Sequence, residues 1–374
     1  MTDKIRILEL IDKSFLGGGQ KNILSIARNI NRDIFDITVA AGGNGSFFNE
    51  LMKSDIKFHR IELPKIFRTR YLKYLTDFHL GKKFHIIHSH GGVAGFYSRI
   101  LKKHNPDVKI VHTIHGIHYL NSDFLRKFLS LSVEQYLVQF TDITICETKT
   151  DYINALKHKI ADRDKTRIIS NGVDLSRFSN LRKNFELKRS LGFKNNDFII
   201  GNISRFDEQK NQQLILQCAY YLIRKYPDMR FVFVGDGRYL GSMKDLAISS
   251  GINEYAVFTG EKENIEDYYS IFDIFVLPSF WEGMPYALLE AMAARLPIIC
   301  SNIPSLLEVV KEGYSALTVN PANMDELFRK ISLLYENHWY RNMLSQNAAI
   351  EATLYDEQET VRNTEAVYRE VMSD

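Results

Sequence analysis

The chain has 374 residues, 45% apolar and 25% charged, the balance of a globular protein with length for two full hydrophobic cores. Three scattered cysteines, Cys146, Cys218 and Cys300, exclude a disulfide framework and point to a reducing compartment, and no uninterrupted apolar run reaches the roughly 18 residues of a membrane span. The net charge of +3 hides an asymmetry: residues 1–170 carry 27 Lys plus Arg against 17 Asp plus Glu, the rest 21 against 28, so an anionic partner is expected on the first half only.

A leader peptide is not expected, since Met1 to Arg6 is polar and Ile7 to Ile11 is short and broken by Glu9. With the reduced cysteines this places the protein in the cytoplasm. Ile5 to Leu10 predicts a buried first strand, and FLGGGQ (Phe15 to Gln20) a glycine loop opening a helix from Lys21 to Ile30. Consecutive glycines let a ligand approach the backbone; the same loop also reads as a plain flexible connection, and it lacks the G-x-G-x-x-G spacing of a dinucleotide fingerprint. Strands follow at Phe35 to Ala41 and Lys57 to Leu63. From Pro64 to Lys83, Lys65, Arg68, Arg70 and Lys73 interleave with Phe67, Tyr71, Tyr74 and Phe78. That mixture suits a surface resting on anionic lipid headgroups, and it equally suits an amphipathic helix with a solvated basic face. No recognised nucleic-acid motif accompanies it, and no nucleic-acid partner is expected.

Further strands are predicted at Phe84 to His90, Val108 to Thr113, Ile143 to Cys146 and Thr166 to Ser170, with a helix over Ser122 to Gln139. Ten of the 11 histidines precede residue 160. Strand alternation sends His85 and His88 to opposite faces and no zincin-like spacing is present, so a metal site is not expected among them. His115, in a His-Gly pair at the carboxyl end of a strand, stands where open α/β sheets place ligand-contacting groups. At Asn171 to Asp174 (NGVD) the charge balance changes sign, and a domain boundary is predicted there, giving domains 1–172 and 173–354 and a last helix, 355–374, packing back toward the first domain.

The second half repeats the pattern. After a strand at Phe198 to Ile203, SRFDEQKN places Arg205 and Lys210 in a polar turn, either a diphosphate clamp or two solvated cations. Gly235-Asp236-Gly237 has the wrong spacing for a nicotinamide fingerprint. Ile271 to Pro278 predicts the strand that feeds FWEGMPYALLEAMAARLPIICSNIPSLLE, in which Pro285 fits the first helical position and Tyr286 to Ala294 a helix. A helix N-terminus behind a glycine loop receives phosphate, and Glu282 and Glu290, on either side of it, would accept from sugar hydroxyls. A sugar nucleotide carries both groups; the alternative is an ordinary strand-loop-helix unit with two surface glutamates.

SRFDEQKN, GDG, EGMPYALLEAMA with its glutamates eight apart, and NGVD together resemble the retaining glycosyltransferases of family 4. GGGQ, HSHGGVAGFYSR and HTIHG resemble the bacterial branch that builds exopolysaccharide, capsule or O-antigen on a polyprenyl diphosphate. The resemblance implies a GT-B fold: two Rossmann-like α/β/α domains with parallel sheets facing a cleft, acceptor on the first and nucleotide-sugar donor on the second. It implies that Glu290 meets the ribose, Glu282 the donor sugar, Arg205 and Lys210 the diphosphate, and the amides of Gly283 and Met284 phosphate or sugar oxygens. It also implies that Gly18 and Gly19 let the diphosphate come close and that His115 sits by the transferred sugar. No metal or other cofactor is expected: Asp162 and Asp164 have an Asp-x-Asp spacing but lie in a charged turn. The family's small, glycine-rich stretch before its last glutamate reads Ile303, Pro304, Ser305 here. A sugar-nucleotide epimerase of the same shape, or a non-catalytic scaffold, would share these features.

Overall fold

A computed structural model describes residues 4–121 and 123–373, with the backbone alone at Asn121. The polar start expected from Met1 and the helix start expected at Ser122 thus fall partly outside the described residues. The chain forms two compact units. One runs to Gly172 and resumes at Glu357; the other is Val173–Asp356.

The first unit is built on seven parallel strands: β1 (Ile5–Ile11), β2 (Phe35–Ala41), β3 (Phe58–Arg60), β4 (Ile86–His90), β5 (Lys109–Ile114), β6 (Ile143–Cys146) and β7 (Thr166–Ile168). They lie in the order β3-β2-β1-β4-β5-β6-β7. Parallel strands covered on both faces read as apolar runs, which is why Ile7, Leu8 and Leu10 of β1 are all fully buried. One face packs Ile7, Phe35 and Val111 against Ile23 and Ala27 of the helix Gly18–Asn29; the other packs Leu8, Leu10 and Ile87 against Ala94, Tyr97 and Leu101 of the helix Gly91–His104. The segment after Pro64 is the helix Thr69–Lys82, which sets Tyr71, Leu72, Leu75 and Phe78 on that second core and leaves Arg70 and Lys73 in solvent. The last helix, Glu357–Ser373, belongs to this unit: Val367, Tyr368 and Val371 are buried in its core, and Thr360 Oγ1 donates to Ser170 O at 2.8 Å.

The second unit has six parallel strands: β8 (Phe198–Ile203), β9 (Met229–Val234), β10 (Ala256–Phe258), β11 (Ile274–Leu277), β12 (Ile298–Ser301) and β13 (Leu317–Val319), in the order β10-β9-β8-β11-β12-β13. In each sheet the order runs outward one way from the first strand and then jumps to the fourth. The connections therefore diverge between β1 and β4, and between β8 and β11, and the carboxyl ends of those pairs are where such sheets hold ligands. Several boundaries differ from the sequence expectation: the strands expected at Lys57 to Leu63, Thr166 to Ser170 and Ile271 to Pro278 are Phe58–Arg60, Thr166–Ile168 and Ile274–Leu277, with Ile271 ending a helix. The helix expected from Lys21 already begins at Gly18, and Pro285 is the residue that caps Tyr286–Ala293, its ψ of 125° being extended, and not the first helical residue. The helix His338–Ala352 was not foreseen, because its polar and apolar residues follow no clean period.

Candidate functional site

The predicted site residues fall at the two divergence points, except His115, which follows β5 one strand further along, and Glu290, which lies within the helix after β11. In the second unit Arg205 and Lys210 follow β8, and Glu282, Gly283 and Met284 follow β11, just before the helix Tyr286–Ala293. Lys210 Nζ lies 2.6 Å from Glu282 Oε1, and Ser279 Oγ donates to the same oxygen at 2.6 Å. Gln209 Nε2 donates to the other oxygen at 3.0 Å and to Trp281 O at 2.8 Å. Both side chains of the pair are nearly buried, so the two charges compensate one another out of bulk water. The ammonium carries three donors, of which Glu282 takes one. The loop behind the pair is knitted to its neighbours: Phe280 N donates to Gln209 O at 2.8 Å, and Asn211 Nδ2 donates to Pro278 O at 3.1 Å and Pro321 O at 2.8 Å.

Arg205 and Lys210 do not form one clamp in this structure. Arg205 is 63% exposed, with Asp207 at 3.5 Å. Its loop rests on the Gly-Asp-Gly turn, whose glycines have φ of 138° and 154° and press so close that a Cβ would stand 2.1 Å from Ser204 O and 2.3 Å from Phe206 O. That motif is a platform for the arginine loop, a role its sequence did not disclose. Glu290, expected on a helix surface or at a ribose, is buried and accepts from Tyr269 Oη at 2.9 Å. Burial and the adjacent Glu290 raise the Tyr269 hydroxyl well above its ordinary range, so it stays a donor. Ser305, which replaces the family's small-residue stretch, donates to the Glu282 carbonyl at 2.8 Å. Gly283 and Met284 are buried in the turn that leads into the helix.

In the first unit, Gly18 and Gly19 are the first two residues of the helix after β1. A Cβ on Gly19 would meet Ile11 Cδ1 at 3.0 Å and His115 Nε2 at 3.2 Å, so this glycine makes room for the His115 ring. His115 follows β5 and belongs to a hydrogen-bonded row that crosses the carboxyl edge in strand order. Glu9 of β1 meets His90 of β4 (Oε2 to Nε2, 2.6 Å), His90 Nδ1 meets His115 Nε2 (2.9 Å), and His115 Nδ1 meets Glu147 after β6 (2.5 Å). Tyr368 Oη donates to Glu9 Oε1 at 2.5 Å and lies 2.7 Å from His88 Nδ1, whose other nitrogen contacts Thr113 Oγ1 at 2.7 Å.

Burial, reinforced by His88, pushes His90 down to about 3, so at neutral pH its ring is uncharged and donates through Nε2 to the Glu9 carboxylate. Burial alone would raise Glu9, but His88 and His90 outweigh it and the carboxyl titrates below its usual range. The donor atoms of Glu9, His88 and His90 lie within 4.8 Å of one another, close enough to hold a metal ion, yet each already has a partner within the row or its branch to Tyr368 and Thr113. Sequence alternation separated His85 from His88 but could not bring Glu9 and Glu147 to His90 and His115. A hollow of about 310 Å³ lined by Arg6, His79, Leu80, Lys83 and Met372, among others, lies at the opposite edge of this sheet, where its strands begin.

Two doubly wound parallel sheets with charged and glycine-rich turns at both divergence points define a GT-B protein, and solved structures agree. The Anabaena Alr3699/HepE chain, solved with UDP and glucose, superposes with a TM-score of 0.88 at 18% identity, covering 98% of this chain and 100% of that one. The model of Glycosyltransferase Family 4 matches residues 16–177, and that of Glycosyl transferases group 1 matches residues 183–350. The chain is 30% identical over 273 residues to the Escherichia coli UDP-Gal:alpha-D-GlcNAc-diphosphoundecaprenol alpha-1,3-galactosyltransferase, covering 71% of this chain and 70% of that one. It is 26% identical to the Staphylococcus aureus capsular polysaccharide biosynthesis glycosyltransferase CapH over 82% of this chain and 83% of that one. The chain belongs to the family 4 glycosyltransferases and is an enzyme of glycosyl transfer.

Proposed function

We propose that the protein transfers a sugar, with retention, from a UDP-sugar to a glycan acceptor carried on a polyprenyl diphosphate, in the building of a cell-surface polysaccharide at an anionic membrane surface facing the cytoplasm. The Lys210–Glu282 pair at the carboxyl edge of the second sheet, directly ahead of a helix N-terminus, carries the reading. The names of the E. coli and S. aureus relatives support the lipid-linked acceptor and the polysaccharide product, and the UDP in the Anabaena structure supports the donor base.

Breaking the anomeric bond builds negative charge on the departing diphosphate and positive charge on the sugar ring. In this proposal Lys210, held by Glu282, and Arg205, free to swing from its platform, receive the first. The amides of Gly283 and Met284 at the helix N-terminus hold phosphate or sugar oxygens, and in the first unit Gly18 and Gly19 leave backbone that a diphosphate can approach. Glu282 meets donor hydroxyls, and Glu290 accepts from the ribose when Tyr269 yields it. The His115 ring stands by the transferred sugar. These cations and dipoles do the work without a metal ion. The acceptor hydroxyl attacks from the face the diphosphate leaves, and the leaving phosphate takes its proton.

The test is a panel of UDP-, GDP- and dTDP-sugars in thermal unfolding, followed by transfer assays on a polyprenyl-diphosphate-linked sugar. A ligand present at about 100 times its Kd stabilises the folded chain by roughly 2.7 kcal/mol. We expect the UDP-sugars alone to raise the midpoint. Protection by GDP- or dTDP-sugars instead would overturn the donor, and release of free sugar or an isomer without acceptor would overturn transfer.

A further inference from the structure

We propose that the helix Phe124–Leu137 is the element that seats the first unit on an anionic lipid bilayer. A surface helix needs one apolar face, toward its own core. This one has two. Leu131 and Leu137 face inward, while Phe124, Leu125, Phe128, Leu129, Val133 and Tyr136 form a ribbon on the outside, each between 42% and 85% exposed. The residues recur at four-residue steps from Phe124 and from Leu125, so they lie side by side along the helix, and the Phe124 and Phe128 rings are near-parallel with centroids 6.5 Å apart. A contiguous outward apolar stripe of this kind marks a contact surface.

Charge identifies the partner. Arg126 and Lys127 stand at the first turn, and Lys103 of the neighbouring helix reaches the other end, 3.0 Å from Tyr136 Oη. The nearby carboxylates are engaged: Asp123 accepts from Arg126 N at 3.0 Å, and Glu134 pairs with the buried Arg99 at 2.9 Å. An apolar ribbon bracketed by cations matches a bilayer interface, where acyl chains take the rings and anionic headgroups take the charges. A second copy of the chain fits less well. Fourteen residues make a helix roughly 21 Å long and about 10 Å wide, a footprint of roughly 200 Å², against the roughly 800 Å² per partner of a stable dimer. The basic segment Pro64 to Lys83, where the sequence suggested lipid contact, turns Tyr71 and Phe78 into the core and leaves Phe67 and Tyr74 exposed, without a continuous apolar ribbon of four-residue steps.

This inference rests on the proposal that the protein works at an anionic membrane surface, and its test is separate from the chemistry. The full-length protein is sedimented with vesicles of phosphatidylglycerol mixed into phosphatidylcholine, and with phosphatidylcholine alone. We expect binding to the mixed vesicles, and a drop of at least about tenfold in the combined variant Phe124→Ser, Phe128→Ser, Leu129→Ser and in the single variant Val133→Glu. Charge reversal at Arg68, Arg70 and Lys73 should leave most of the binding in place. Wild-type binding by the ribbon variants would overturn the inference, as would a wild-type dimer in light scattering that the variants dissolve. The variants should keep the unfolding midpoint and the protection by UDP-sugars; loss of that protection in the wild type as well would sink the functional reading and leave the membrane result standing.

Discussion

Lys210 and Glu282 lie 72 residues apart and meet only because β8 and β11 are neighbours. Lys210→Ala strands a nearly buried carboxylate and, on the proposed mechanism, removes a transition-state cation; we expect transfer to fall at least about a hundredfold and the fold to lose a few kcal/mol. Glu290→Ala should cost a similar factor in transfer. Steady-state rates near wild type in either variant would remove that residue from the site. Gly19→Ala tests the first unit. Its new methyl must displace Ile11 or the His115 ring, which lie 3.0 and 3.2 Å away, and we expect kcat to fall about tenfold with the unfolding midpoint moving by only a few degrees. An unchanged kcat would show that the position of His115 is of no consequence.

The helix Glu357–Ser373 completes the first unit from the far end of the sequence. Tyr368 is fully buried, with its hydroxyl on Glu9 and His88, and burial beside Glu9 raises its pKa well above the ordinary range. Tyr368→Phe keeps the ring and leaves two buried polar atoms short of a partner, for which we expect a loss of about 1–3 kcal/mol in urea unfolding. A cost near zero would mean that Glu9 and His88 are satisfied without it. The apolar positions of the same helix, Val361, Val367, Tyr368 and Val371, recur on one face, and that face is buried. The ribbon of Phe124–Leu137 has equally regular spacing and lies outside, because periodicity states that residues share a face and not what covers it.

Taken as a whole, the molecule buries imidazoles in neutral form, and this sets its response to acid. His90 is held at about 3 against an ordinary 6.5, and His112, also driven by burial, lies well below 6.5. An unfolded chain protonates both near pH 6.5 and the folded chain does not, so the stability they contribute is complete above pH 6.5 and declines as pH falls toward 3. The slope is about 1.4 kcal/mol per pH unit for each histidine. Glu9, depressed in the fold, adds a loss of the same sign at lower pH. Urea unfolding between pH 7 and 5 should show the decline, and His112→Asn should remove about half of it; a flat profile would contradict neutral burial. Among the described residues no helix is long and apolar enough to cross a membrane, and the three cysteines are free and buried.

The sequence by itself determined the repeated strand-helix alternation, the change of unit near Gly172 and the residue types at each strand's carboxyl end. Both faces of a parallel sheet are covered, so its strands appear as apolar runs that end at glycines and charges. It also determined that Arg205, Lys210, Glu282 and His115 fall in turns after strands. Tertiary structure decided how they combine: Lys210 with Glu282 and not with Arg205, Glu290 with Tyr269, and His115 between His90 and Glu147. Those partners lie at the ends of different strands or in the turns after them, or for Glu290 and Tyr269 on the helices either side of β11, and only the order in which strands add to a sheet brings such residues within 3 Å. The Gly-Asp-Gly turn makes the same point, since what its glycines make room for is a carbonyl about thirty residues earlier in the chain.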